Sequence, residues 1–252
     1  MSSLQITQHG MVSTLTINRP EKHNSLSPTD IEQMMSLLDS LDQDPNVRAL
    51  VITGSGDTTF CAGASFDNVK DGSLRGDAFS PLARTIQSLS IPSVCLLNGN
   101  VYGGGVELAL ACDFRCGIEG AQLRVPIAKL GLSYSEYGLK LYHAKLGLAA
   151  SKRILLGADT VDFDALQSMS FFDTVSADLT SARAQCAQLS EQLSQRSPLA
   201  LNTMRKALDG LSMQSFDATE FDGNEQACFD SEDKQEGFEA LLARRDPEFN
   251  GC

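Results

Sequence analysis

Residues 98–113, NGNVYGGGVELALACD, place three consecutive glycines, Gly103, Gly104 and Gly105, directly ahead of Val106, Glu107 and an apolar run. A triple glycine opening an Ala/Leu-rich segment reads as a loop turning into a helix N-terminus. Glycine permits positive φ and lets a ligand approach the bare backbone. The first N–H groups of a helix have no internal partner, and the helix dipole puts partial positive charge there. Such a point is built to hold a negative oxygen. Glu107 follows near the start of the helix. By itself it is an ordinary first-turn carboxylate that favours the dipole. Beside a preformed anion site it is a poor structural choice unless it handles protons, so the pair reads as an oxyanion donor with a general acid/base.

A second small-residue loop, FCAGASFD at 60–67, follows another strand-like segment. Taken singly, a glycine-containing loop after a strand is weak information, because strand-to-helix turns often need glycine. Together the two loops are more specific. Two backbone N–H groups from separate loops can converge on one oxygen, the geometry that polarises a thioester carbonyl and stabilises its enolate. Removing one such donor typically raises the barrier by about 3–4 kcal/mol. Cys61 in the same loop reads as a small buried filler rather than a nucleophile, since no histidine occupies an obvious partner position. Asp113 reads as a cap or turn after the helix, and the pair Met34 and Met35 as core.

These loops need elements to hold them. Residues 11–18, MVSTLTIN, alternate as a half-buried strand does. Ser27 with Pro28 marks a helix start, and Ile31, Met34, Met35, Leu38 and Leu41 give one apolar face at helical spacing. Residues 47–53 form a buried strand and 54–57 a turn; 68–80 are polar, Gly-containing and expected to be mobile. A helix around 80–89 leads to a strand at 93–98 and so to the glycine motif. This rhythm of strand, loop and helix implies an α/β core with its loops gathered on one side. Past Pro126 the composition changes, and 136–157 and 178–243 read as mostly helical, with Gly147, Gly157 and Pro198 as punctuation.

The chain has 252 residues and a net charge of −12, which argues against nucleic-acid or anionic-membrane binding because both need a basic surface. A polyanionic ligand would need a local basic patch. The seven cysteines form no CxxC pair and most lie in apolar surroundings, so reduced, buried thiols are expected. His9, His23 and His143 lack ligand spacing, and no metal site is expected. There is no apolar run of about 18 residues and no signal-peptide pattern, so the expected location is the cytoplasm.

Four segments, NRPEKHNSLS (18–27), FCAGASF (60–66), NGNVYGGGVELALACD (98–113) and DSEDKQEGFEALLARRDPEF (230–249), resemble in order and spacing the enoyl-CoA hydratase/isomerase, or crotonase, superfamily. The resemblance covers nearly the whole chain. It implies a spiral of ββα units, residues 1–197 as catalytic core and 198–252 as a helical oligomerisation region. It implies homotrimers, or dimers of trimers, and an acyl-coenzyme A thioester as substrate with no further cofactor. Carried over by position, the oxyanion donors are the N–H groups of Ala64 and Gly104, with Glu107 as acid/base. Arg19, Lys22, Ala62, Ala64, Ser65 and Phe66 would hold the nucleotide and pantetheine. The family's lysine falls at Lys22 or at Glu21, and Arg244 and Arg245 would reach a neighbouring subunit's ligand.

The departures bear on the reaction. The second glutamate of the family's hydratases would lie in VPIAKLG (125–131), at Ile127, and the common Asp of the first loop is Ser65. LGLSYSEYGL (130–139) replaces a Gly-Pro-rich loop and places Tyr134 as in the superfamily's methylmalonyl-CoA decarboxylases. Glu136 is a candidate for a relocated second carboxylate. The resemblance favours an enoyl-CoA hydratase-type lyase. A malonyl-type CoA decarboxylase using Tyr134, a double-bond isomerase and a silent acyl-CoA-binding relative stand as alternatives. The RNA binding of a superfamily member is disfavoured by the acidic charge.

Overall fold

In the computed structural model the structure describes residues 2–65, 68 and 77–252. Phe66 and residues 69–76 of the polar stretch 68–80 therefore lie outside the described residues. A hairpin opens the chain, β1 (Leu4–His9) and β2 (Val12–Ile17), paired antiparallel. The helix α1 (Pro28–Asp42) then leads to β3 (Ala49–Gly54) and β4 (Thr59–Cys61). After α2 (Ser80–Ser88) come β5 (Ser93–Leu96), β6 (Asn100–Tyr102) and α3 (Gly104–Ala111). Next are β7 (Phe114–Ile118), β8 (Leu123–Arg124) and α4 (Glu136–Leu155). The spiral of ββα units is present in this repetition. With two later strands, β9 (Thr160–Val161) and β10 (Thr174–Ser176), they build two sheets: the first strand of each pair, β3, β5 or β7, joins a six-stranded sheet in the order β1-β2-β3-β5-β7-β10, and the second, β4, β6 or β8, joins a four-stranded sheet in the order β4-β6-β8-β9.

The remaining elements are α5 (Phe163–Ser168), α6 (Leu179–Ser194), α7 (Pro198–Met213), α8 (Ala218–Asp230) and α9 (Glu232–Ala243). The near-continuous apolar run of β3 has a simple cause. Leu50 and Ile52 enter the main core with Met34, Leu82, Ile86 and Leu108, while Ala49 and Val51 face Ala182 and Cys186 of α6 on the other side. A parallel strand covered on both faces loses the alternation of a half-exposed one. β1 escaped the sequence reading because Leu4 is its one buried residue, so its pattern is that of an exposed edge.

Two local features hold α1 and the loop before it. Ser27 accepts from Asp30 N–H at 3.3 Å while Asp30 Oδ2 accepts from Ser27 N–H at 2.8 Å, a capping box. Arg19 Nη1 adds an ion pair to the same Oδ2 at 2.6 Å. Burial works to raise the Asp30 carboxyl, yet the Ser27 and Ser3 hydrogen bonds and the Arg19 charge hold it below the usual range. In the middle of the chain, the expected helix over 136–157 breaks at Gly147, whose φ of 76° and ψ of 170° are non-helical. No described helix is long and apolar enough to cross a membrane.

Candidate active site

The three glycines of the central motif have three separate packing reasons. Gly103, at φ 51° and ψ −126°, takes the turn into α3 in a conformation open essentially to glycine alone. A Cβ on Gly104 would sit 2.4 Å from the Phe79 ring, and one on Gly105 would sit 2.4 Å from Cys61 O. Gly63 in the other loop completes the junction: at φ 75°, its Cβ would lie 2.5 Å from the backbone N of Gly104. The two small-residue loops therefore touch backbone to backbone. Two buried asparagines, which the sequence reading passed over, tie the strands feeding them. Asn98 Oδ1 accepts from Gly54 N–H at 3.0 Å, and Asn24 Nδ2 donates to Thr59 O at 2.7 Å.

Ala64 forms an isolated parallel bridge with Leu26. The bridge uses Leu26 N–H to Gly63 O at 2.8 Å and Ser65 N–H to Leu26 O at 3.2 Å. Because successive N–H groups of an extended segment alternate in direction, the Ala64 N–H faces away from Leu26. Gly104 is the first residue of α3, so its N–H has no intrahelical acceptor. Both residues line one cavity of about 380 Å³ that also contains Glu107, Lys22, Ala62 and Tyr134. Its apolar wall is Phe79, Val125, Ile127, Leu130 and Leu132.

Glu107 is fully buried. Its Oε1 accepts a hydrogen bond from Ser80 Oγ at 2.9 Å, and its Oε2 has no partner among the described residues. Burial pushes the carboxyl up to about 7, against the opposing Ser80 hydrogen bond and Arg84 charge, with a further upward push from Asp77. A carboxylic acid held near neutrality can both take and give a proton at physiological pH. Tyr134 is buried, its hydroxyl 3.5 Å from that of Tyr142, and burial pushes its phenol well up, so it stays protonated.

Other expected site residues are placed elsewhere. Arg19 is spent on Asp30 and borders a separate depression with Pro20 and Glu21. Ser65 donates through its hydroxyl to Asn68 Oδ1 and is not in the cavity wall. Glu136 is exposed and pairs with Lys140 at 2.8 Å, one helical turn on, so it is no second carboxylate for this cavity. Arg245 is engaged with Glu236 at 2.5 and 2.7 Å. Cys61 is buried in the core with Gly63 N–H donating to Sγ at 3.3 Å, and burial pushes its thiol up to about 12, which suits a filler and not a nucleophile. Asp113 joins its turn to β5, accepting from Ser93 N–H at 2.7 Å. His23, read from the sequence only as a histidine without ligand spacing, and Ser25, which was not singled out, also line the cavity. Neither were Ser80 and Ser135; their one signal was position at helix starts. No group of three or more His, Cys, Asp or Glu that would hold a metal occurs among the described residues.

The family described as Enoyl-CoA hydratase/isomerase matches residues 7–252. The 2,3-dehydroadipyl-CoA hydratase of Escherichia coli is 31% identical, with all of both chains covered. The short-chain-enoyl-CoA hydratase of Clostridium acetobutylicum is 24% identical over 97% of this chain and 96% of its own. A crystal structure described as an enoyl-CoA hydratase/isomerase family member superposes with a TM-score of 0.88 at 30% identity, covering 98% of this chain and 97% of that one. A family match over almost the entire length, on a fold that joins the two glycine loops beside a buried glutamate, makes this chain an enzyme of the enoyl-CoA hydratase/isomerase family, with the crotonase fold.

Proposed function

We propose that the cavity binds an acyl-coenzyme A thioester and that the chain is an enoyl-CoA hydratase-type lyase. The observation that carries this reading is the joining of Ala64, Gly104 and Glu107 in one cavity wall. In the proposed reaction the thioester oxygen lies between the Ala64 and Gly104 N–H groups. Glu107 takes a proton from water as the hydroxyl oxygen bonds to the β-carbon of the 2-enoyl group. The π electrons move onto the thioester oxygen as an enolate, which the two N–H groups stabilise. Glu107 then returns the proton to the α-carbon, so one water is added overall. A single carboxylate at about 7 suits both halves of this cycle. Lys22 in the lining provides positive charge for the ligand's phosphates.

A second reading is favoured by one feature of the wall. Ile127 is where the hydratases' second glutamate would lie, and Tyr134 is buried in the same cavity. Decarboxylation of a malonyl-type thioester needs no second carboxylate. The bond to the leaving carboxylate, which Tyr134 hydrogen-bonds, breaks; its electron pair enters the enolate, carbon dioxide departs, and the α-carbon then takes a proton from water to complete the acyl thioester. Assays with crotonyl-CoA, methylmalonyl-CoA and a 3-enoyl-CoA separate the readings. Hydration of crotonyl-CoA that is retained within about tenfold in Tyr134→Phe is the expected result. Carbon dioxide release abolished by Tyr134→Phe would transfer the assignment to the second reading, and double-bond migration alone to an isomerase. Acyl-CoA binding by calorimetry without turnover would make the protein a silent relative.

The helices from Pro198 onward are proposed as an oligomerisation region forming homotrimers, singly or in pairs. Leu208 and Leu211 of α7, Phe229 of α8, and Phe238, Leu241 and Leu242 of α9 are all exposed large apolar side chains. Such density on terminal helices marks an interaction surface. Sedimentation is expected to give a trimer or hexamer that Leu208→Asp combined with Leu241→Asp dissociates; a monomeric parent protein would refute the proposal.

A further inference from the structure

Glu107 does not stand alone in its pocket. Ser80, the first residue of α2, donates to Glu107 Oε1 at 2.9 Å. Its oxygen lies 2.6 Å from Ser135 Oγ. Ser135 is the N-cap of α4 and accepts from Gly138 N–H at 3.0 Å. A Cβ at Gly138 would lie 3.0 Å from the Tyr134 ring and 3.5 Å from Glu107 Oε1, which puts the first turn of α4 beside the carboxyl.

The donor order along this chain of groups follows from chemistry. A backbone N–H can only donate, so Ser135 Oγ accepts on the Gly138 side. An ionised carboxylate oxygen can only accept, so Ser80 gives its one proton to Glu107. Ser80 then accepts at its oxygen, and the proton between the two hydroxyls is Ser135's. The helix N-terminus of α4 is thereby connected to one named oxygen of the glutamate. When Glu107 is protonated the same order persists if the proton is on Oε2, the oxygen left without a partner.

We propose that Ser80 and Ser135 are positioning residues that reserve Oε1 of Glu107 and leave Oε2 as the oxygen that exchanges the proton with the bound acyl thioester. This rests on Glu107 being the acid/base of the proposed function. The pair does two things. It fixes the carboxyl plane relative to the cavity, since Oε1 is pinned between α2 and α4. It also stabilises the ionised form by a charge-assisted hydrogen bond, which opposes the upward push of burial. Among the described residues, the other charged or titratable groups around the carboxyl are Arg84 on α2, Asp77 just before it, Tyr134 in the loop before α4, and Tyr137 and Tyr142 on α4. Arg84 is itself stacked over the Tyr137 ring at 3.9 Å.

The test uses the intact protein with carbon-13 carboxyl-labelled glutamate, the Glu107 resonance being the one lost in Glu107→Gln. In Ser80→Ala its titration midpoint is expected to move upward by about one pH unit, since a hydrogen bond to the charged form is removed. The limb of the kcat/KM profile on crotonyl-CoA that reports the ionised base should move with it. Ser80→Thr keeps the hydroxyl and is expected to restore both. Ser135→Ala frees Ser80 to rotate and should give a smaller shift of the same sign. An unmoved midpoint in both alanine variants, with turnover still abolished by Glu107→Gln, overturns the positioning pair and leaves the function intact. Full turnover in Glu107→Gln overturns the function, while the midpoint shift still reports on the pair.

Discussion

Glu107→Gln is expected to lower kcat/KM for crotonyl-CoA by about 10³-fold, in the middle of the range for losing a general acid/base. The same substitution should flatten the pH dependence of stability, which makes the prediction two-sided. The folded carboxyl titrates near 7 against an ordinary value of 4.5. Between those pH values the folded chain keeps a proton that the unfolded chain has released. Unfolding therefore releases a proton, and stability falls as pH rises through that window. At about 1.4 kcal/mol per unit, this group costs the folded state about 3 kcal/mol above pH 7. Below pH 4.5 both states hold the proton and the effect vanishes. Urea midpoints for parent and variant, taken from pH 4.5 to 8, should give a difference curve that falls for the parent across the window. Retained turnover, or parallel stability curves, would count against a buried, proton-bearing Glu107. A side chain kept at a cost to stability is the usual mark of a residue retained for its chemistry.

Gly63→Ala carries the second large effect. The added Cβ would lie 2.5 Å from Gly104 N and 3.1 Å from Tyr102 O, both backbone atoms that a side-chain rotation cannot clear. The residue also sits at φ 75°, which costs an L-residue about 1–2 kcal/mol. Overpacking adds about 1–3 kcal/mol, so the variant should lose roughly 2–5 kcal/mol in all. The more telling effect is on geometry. Relief of the overlap moves the loop bearing Ala64 away from the loop bearing Gly104, and a shift near 1 Å in such a site costs about 10²-fold in rate. Gly120→Ala is the control. It has a comparable φ of 77° but no heavy atom within 4 Å of its Cβ, so it should show the strain without the wedge and keep its turnover. Circular dichroism confirms that folded protein is being assayed. Equal activity of the two variants would mean that the spacing of the loops does not matter to catalysis.

The residues of the candidate site were readable because they are marked by local necessity. Gly103, Gly104 and Gly105 announce a backbone feature that other residues cannot form, and Glu107 follows at helical spacing. Ser27 with Pro28 marks α1 through its capping chemistry. The apolar runs at 47–53 and 93–98 mark strands covered on both faces. Those signals live in a few consecutive residues, so the α/β class and the elements they mark followed from them, while the exposed edge strand β1 did not. Position along a resembling family then supplied Ala64, and also supplied Arg19 and Ser65, which the fold employs in an ion pair and a loop hydrogen bond.

What the chain alone determined was a set of local preferences: where helices begin, which segments bury both faces, and which loops need glycine. Tertiary structure decided which of those loops meet. It packed Gly63 against Gly104 N, turned Glu136 to Lys140 in solvent, and brought Ser80 and Ser135, 55 residues apart, to 2.6 Å beside Glu107. The reason is that a hydrogen bond or a raised carboxyl depends on which groups surround an atom and how completely water is excluded. Those are set by the packing of α2, α3 and α4 against one another, and no window of neighbouring residues encodes it.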